Sequence, residues 1–339
     1  MANCQKLFLD YVDIITPSKD QIQEMKTSRE ALETKIKKVV KDQLGLQVYF
    51  YTQGSGARDM RTIIIKADGT YDADRGVYLS ANPDKNAKEI QEIIFNAVKD
   101  HTVDGAEHRL KCIRVLYKCA YNIDFPIYYL VEGESGAYIA VKDGNWVKDD
   151  PEKLIEWFKG YKDEDGQLIR IARSLKGWAS EKKGKFRMPS GVALTVWAAK
   201  YFSGGISDRD DKCLLQVLES IQSNVWFNCS CTSPVEPWDD LVAKMTEDDK
   251  TQFRTALNDF ITDAKAAVNE TNQLKASELW RKHLGSRFPL GEDEDVELRA
   301  AALLAPASLV ITHNARLNTQ GRINGDTGVH HKEHRNYGH

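Results

Sequence analysis

The sequence changes character at Asp150-Pro151, and that change limits the fold more than any other feature. Before it, runs rich in β-branched and aromatic residues alternate with helical patterns. After it, nearly every stretch repeats at helical spacing, with helices expected near 151–162, 166–180, 189–202, 208–227, 238–268 and 273–286. Such a chain folds as an α/β first half and an α-helical second half. No internal repeat or low-complexity linker separates the two, so they are expected to pack directly on each other.

In the first half, Pro17-Ser18 precedes a long helical pattern through Ile22, Met25, Leu32, Ile36, Val39 and Val40, which Gly45 stops. The apolar run Leu46 to Tyr51 then reads as a strand entering a tight Gly54-Ser55-Gly56 turn. Thr62 to Ile65 and Asp72 to Leu79 are strand-like, and Asn82-Pro83 is expected to cap a helix running to about His101. The runs Cys112 to Tyr117 and Tyr121 to Tyr129 lie close enough to form a hairpin.

Three places in this half carry chemistry. On a strand, Asp72 and Asp74 project to the same side while Ala73 and Arg75 face away. Adjacent carboxylates repel unless a cation lies between them, and hard divalent metals bind carboxylate oxygens while leaving positions for phosphate. Glycines flanking Ser55 let backbone N–H groups approach a phosphate, and the hydroxyl adds a donor. Each signal also has an ordinary explanation: a DxD in a solvated loop and a GSG that is simply a turn. Asp124 stands among Ile123, Phe125 and Ile127, and burying a polar group without a partner costs roughly 2–7 kcal/mol. It calls for a buried salt bridge or hydrogen bond, or for a metal shared with Asp72 and Asp74. Further on, Arg170, Arg173 and Lys176 share one face of a helix whose opposite side holds Leu168, Ile171 and Leu175. That face is either solvated or, if it borders a cleft, a source of positive charge for a triphosphate.

Composition bounds the class. The 339 residues carry 47 Lys and Arg against 50 Asp and Glu, a formal charge of −3, which argues against coating nucleic acid through an overall basic field. No apolar run approaches a membrane span. Six scattered cysteines with no secretory signal suit reduced thiols in a cytoplasm. Cys229 and Cys231 lack a second pair at zinc-site spacing, so incidental thiols are expected there, and His330, His331 and His334 fall in a polar tail.

In combination the motifs are more specific: a GS turn, a DxD, a third Asp on a later strand, then a helix with basic residues. This is the layout of the polymerase-β-like nucleotidyltransferases, and within them the chain resembles the CD-NTases, the bacterial relatives of cyclic GMP-AMP synthase in anti-phage signalling. The segments YDADRGVYL, NIDFPIYYL, YIAVKDGNWVKDDPEKLIEWF, RIARSLKGW, MPSGVAL and SELWRKHLGSRFP carry the resemblance, in order, to near Pro289. The chain departs from the family pattern between Ser55 and Thr62, where many relatives have an aromatic residue followed by Gly-Thr.

The resemblance implies a nucleotidyltransferase core of mixed sheet and helices over 1–165, a helical lobe over 166–310 and a polar, flexible tail over 311–339. It implies that Asp72, Asp74 and Asp124 are catalytic and bind two Mg2+ or Mn2+ ions, with Asp124 helping to activate the attacking hydroxyl. Gly54, Ser55, Lys176 and Ser190 would hold the nucleotide. The implied activity is condensation of nucleoside triphosphates into a cyclic di- or oligonucleotide messenger with release of pyrophosphate. The alternatives are linear transfer to RNA or a small molecule, or nucleotide binding without turnover. The implied partners are a product-binding effector protein and a regulator engaging the tail, with nucleic acid only as an activator and no membrane.

Overall fold

The computed structural model describes residues 1–118, 120–131, 133, 136–204 and 208–293, with short pieces between 316 and 330. Helix α1 (Gln5–Ile14) is followed by the 26-residue α2 (Lys19–Leu44). Ser18 and Gln21 form a reciprocal capping box at the start of α2, and Gly45, at φ 66°, ends it in the left-handed conformation that glycine tolerates.

The sheet is built around β2 (Tyr71–Leu79). On one side it pairs antiparallel with β1 (Val48–Gln53), in register Gln53 to Asp74. On the other it pairs in parallel first with β5 (Tyr121–Phe125) and then with β6 (Ile127–Leu130). Pro126 explains this division. Proline has no N–H for a ladder, although its carbonyl still accepts from Val77 N–H at 2.8 Å. Beyond the break, β4 (Ile113–Tyr117) continues the sheet from β5, with β3 (Ala106–His108) outside it. From β6 the sheet continues through β7 (Ala137–Ala140) to β8 (Trp146–Asp149).

Helix α3 (Ala87–Val98) packs on this sheet with α2, and its buried Ile90 and Ile94 join Leu32, Ile36, Val77 and Ile123 in one core. The expected cap at Asn82-Pro83 is displaced: Asn86 is the cap, in a capping box with Glu89. Thr62 to Ile65 is not a strand. It runs as an extended segment held by other elements, with Ile65 N–H donating to Ile15 O at 2.6 Å.

The second half contains α4 (Pro151–Lys159), α5 (Gln167–Glu181), α6 (Gly191–Tyr201), α7 (Asp210–Val225), α8 (Glu247–Asn269) and α9 (Gln273–Leu284). The helix expected from 238 starts only at Glu247, where Thr246 caps it. Trp178, Trp197, Phe253, Phe260 and Trp280 are all buried in the second core. Phe8 and Tyr11 of α1 belong to that core too, so the first helix crosses from the N-terminus into the helical half.

Cys229 and Cys231 are buried free thiols. The tail expected over 311–339 lies largely outside the described residues, which include a three-stranded ladder of two-residue strands at Arg316–Leu317, Ile323–Asn324 and Val329–His330. Among the described residues, no helix is long and apolar enough to cross a membrane.

Candidate active site

The register of the sheet assembles the acidic wall. Alternation along β2 puts Asp72 and Asp74 on one side, and the parallel pairing sets Asp124 of β5 directly beside Asp74 and Asn122 beside Asp72. Because β1 pairs antiparallel and ends at Gln53 opposite Asp74, the turn that follows must pass over that carboxylate. Gly54 to Gly56 form one 3-10 turn, with Gly54 at φ 57°. A Cβ on Gly54 would overlap Asp74 Oδ2, so close approach and backbone conformation both require glycine here.

Opposite this wall lie α5 and the start of α6. Lys176 donates to Thr62 O at 2.6 Å, and Thr62 N–H donates to Ser55 O at 2.9 Å, linking the turn to the helical half. Ser190 caps α6, accepting from Ala193 N–H at 3.1 Å and donating to Leu241 O at 3.3 Å. The Lys176 side chain lies against Gly191, where a Cβ would meet its Cε at 3.3 Å. A cation is thereby set beside free N–H groups of a helix N-terminus, a combination suited to anions.

A cavity of about 770 Å3 lies between the walls, and Gly54, Ser55, Asp72, Asp74, Asp124, Lys176 and Ser190 all line it. Met60, Ile63, Phe186 and Met188 supply apolar lining, and Lys66, Lys183 and Arg187 add positive charge. Of the basic face expected on α5, only Lys176 faces the cavity. Arg170 instead makes two hydrogen bonds to buried Asp210, at 2.5 and 2.9 Å, and Arg173 is half-buried near Arg61.

Four residues at the site are not apparent from motifs. Arg114 on β4 donates from Nε to Asp124 Oδ1 at 2.7 Å and from Nη2 to Oδ2 at 2.6 Å, and lies 3.5 Å from Asp72 Oδ2. This is the buried salt bridge that a lone Asp124 called for. The hairpin itself held the signal, since pairing Tyr117 with Tyr121 sets Arg114 opposite Asp124. Lys66 Nζ reaches Asp72 Oδ2 at 2.5 Å, and Asn122 Nδ2 donates to Asp72 Oδ1 at 2.9 Å. Thr62 is fully buried, and among the described residues its Oγ1 has no hydrogen-bond partner.

These neighbours divide the carboxylates electrostatically. Burial disfavours the charge on Asp72, yet Lys66 and Arg114 hold its carboxyl below the ordinary value. Asp74 has no ion-pair or hydrogen-bond partner among the described residues. Burial, then Asp124 and Asp72, push its carboxyl up to about 7. Burial brings the Lys176 ammonium down to about 8 against the pull of Asp74. Three carboxylates on one wall, one of them uncompensated, form a donor set suited to a hard divalent cation. Among the described residues, no three His, Cys, Asp or Glu side chains already converge as a metal cage; Arg114 lies between Asp124 and Asp72, and Lys66 pairs with Asp72.

Comparison with known proteins decides the family. Residues 48–128, from β1 through β6, match the model of the cyclic GMP-AMP synthase DncV-like nucleotidyltransferase domain. That stretch is a DncV-like nucleotidyltransferase domain of the CD-NTase family. Like its relatives, this CD-NTase is a nucleotidyltransferase, of a kind generally dependent on divalent metal. It is 22% identical over 297 residues to the cyclic AMP-AMP-AMP synthase of an Acinetobacter species, covering 84% of this chain and 85% of that one. It is 26% identical over 202 residues to the cyclic GMP-AMP synthase of Escherichia albertii, covering 55% of this chain and 44% of that protein. The CD-NTase fold is shared with the cyclic AMP-GMP synthase DncV of Vibrio cholerae, at a TM-score of 0.72, 15% identity and coverage of 85% and 97%. It is shared as well with the CD-NTase CdnG of Bradyrhizobium diazoefficiens in complex with GTP, at 0.69, 14% identity and coverage of 83% and 95%.

Proposed function

We propose that this CD-NTase condenses nucleoside triphosphates into a cyclic di- or oligonucleotide, releasing one pyrophosphate for each phosphodiester formed, as a messenger in anti-phage defence. The observation that carries this reading is the meeting of three carboxylates with a glycine-flanked serine, a lysine and a helix N-terminus, from five separate segments, on one cavity. A ribose hydroxyl oxygen attacks the α-phosphorus in line. The new O–P bond forms as the bond to the leaving pyrophosphate breaks, and the hydroxyl proton leaves toward the acidic wall. Divalent metal held by Asp72, Asp74 and Asp124 would lower the hydroxyl pKa and neutralise charge on the phosphates. Asp124 acts on the attacking hydroxyl. Ser55 and the Gly54–Gly56 turn hold the phosphates from one side, while Lys176 and the Ser190 end of α6 hold them from the other, which fixes the line of attack. The apolar lining at Met60, Ile63, Phe186 and Met188 packs bases and limits water.

Incubation of the full chain with ATP, GTP, CTP and UTP plus Mg2+ or Mn2+ is expected to yield a phosphatase-resistant product, whose mass lacks a terminal triphosphate. Asp72→Asn and Asp74→Asn should each abolish it. A linear product retaining its triphosphate would replace cyclisation with chain extension, and unchanged product from both variants would refute the metal assignment. A separate effector protein would receive the product, and a regulatory protein would engage the C-terminal tail. Pull-down with and without residues 315–339 tests the latter.

A further inference from the structure

Arg114 is the unexplained group at the acidic wall. Its side chain is 12% exposed and that of Asp124 10%, so both are largely withdrawn from water. The planar guanidinium meets the carboxylate as a fork, with separate hydrogen bonds at 2.7 and 2.6 Å occupying both Asp124 oxygens. Paired, charge-assisted bonds of this kind are among the strongest a side chain makes. The same guanidinium lies 3.5 Å from Asp72, which also takes a cation from Lys66 at 2.5 Å, whereas Asp74 has no partner among the described residues. Two of the three carboxylates are therefore neutralised by the chain itself.

We propose that Arg114 is a positioning residue that holds Asp124 in a closed ion pair against bare divalent ions, and releases one of its oxygens when metal arrives together with a nucleotide. This rests on the reading of Asp72, Asp74 and Asp124 as metal ligands. An ion arriving alone gains the carboxylates but must open the fork at a site where two positive charges already stand. An ion arriving with a triphosphate brings further binding energy from the opposite wall, through Ser55, Lys176 and the start of α6. The opened fork keeps one bond to Asp124 and has Asp72 within reach, so the guanidinium is not left buried and unpaired, the condition that makes such charges costly. The pair thus couples metal entry to substrate entry, and steadies the repelling carboxylates meanwhile.

The test is titration of the full chain with Mn2+, following the electron paramagnetic resonance signal of the free ion, with and without a non-reactive triphosphate analogue. Without nucleotide, Arg114→Gln is expected to bind Mn2+ at least tenfold more tightly than the unsubstituted protein. Arg114→Lys keeps the charge but cannot make the fork, and should fall between them. With saturating analogue present, the three proteins should agree within about threefold, since the phosphates have then drawn Arg114 off one Asp124 oxygen and the fork is open before Mn2+ binds. Mn2+ affinity without nucleotide that is unchanged or weaker in both variants overturns the proposal. Should Arg114→Gln not fold, the Arg114→Lys comparison decides alone. The underlying reading is tested separately by Asp74→Asn: if Mn2+ binding with the analogue survives that change, the metal site itself is misassigned. If binding is lost there but Arg114 substitution tightens nothing, only the role of Arg114 falls.

Discussion

Gly54 shows how narrowly single residues are constrained at this site. It sits at φ 57° with its Cα over Asp74, so Gly54→Ala combines a left-handed backbone with a collision against the carboxylate. The expected cost is about 1–3 kcal/mol of stability, read by urea denaturation. Product formation should fall at least ~100-fold, because displacing a catalytic group by about 1 Å has that effect. Asp74 carries a second expectation at this scale. Its carboxyl is raised to about 7, so the folded state binds a proton more tightly than the unfolded chain does. The resulting stability is present at pH below the ordinary carboxylate value and disappears as pH rises through about 7. In EDTA, the melting temperature should decline from pH 6 to 8, and Asp74→Asn should remove that part of the decline. The lowered Lys176 contributes with the opposite sign, its stabilisation being lost as pH falls through about 8. The difference between the protein and Asp74→Asn is therefore the quantity to measure.

Among the elements, α5 carries two duties on adjacent residues. Lys176 faces the cavity, while Gly177 packs against buried Tyr11 of α1, where a Cβ would collide with the phenolic oxygen and meet Ile15 Cδ1 at 3.4 Å. Leu168, Ile171, Leu175 and Trp178 fix the helix from its other side, so it cannot shift to make room. Gly177→Ala should cost about 1–3 kcal/mol by overpacking, measured by the urea midpoint. By moving α1 or α5 it should also raise KM for nucleotide more than it lowers kcat. A Gly177→Ala protein as stable as the parent would mean that α1 yields freely.

Over the whole molecule, the cleft depends on a few ties between the two cores. Arg287, following α9, donates to Ile65 O at 2.7 Å and Lys66 O at 3.1 Å, and pairs with Glu181 of α5 at 3.3 Å. Ala67 N–H donates to Ser180 Oγ at 2.6 Å, and Lys176 reaches Thr62 O. Apart from the Glu181 pair, these bonds hold the 62–67 segment, which has no ladder of its own. Arg287→Ala should cost about 1.5–3 kcal/mol, the range for hydrogen bonds involving a charged group. Hydrogen exchange should rise at 62–67 and not in the sheet core. Exchange that rises uniformly would mean that the two cores unfold as one unit.

The sequence by itself determined α2, most helices of the second half and the acidic pair. Periodicity fixes α2 between Ser18 and Gly45, and alternation fixes Asp72 and Asp74 on one side of β2, because both are local properties of the backbone. The family motifs identified the nucleotidyltransferase core as well. Only the tertiary structure decided what pairs with what. Arg170 and Lys176 share a helix face with Arg173, yet packing against α7 gives Arg170 to Asp210 and leaves Lys176 to the cavity. Asp124 called for a partner, and the β4–β5 register, which the expected hairpin left unspecified, supplied Arg114. Likewise α1, local to the first half in sequence, is buried in the second core, because the apolar surface of a helix goes wherever it excludes most water. Local rules act over a few residues, whereas charge pairing and burial are settled by segments from ten to more than a hundred residues apart.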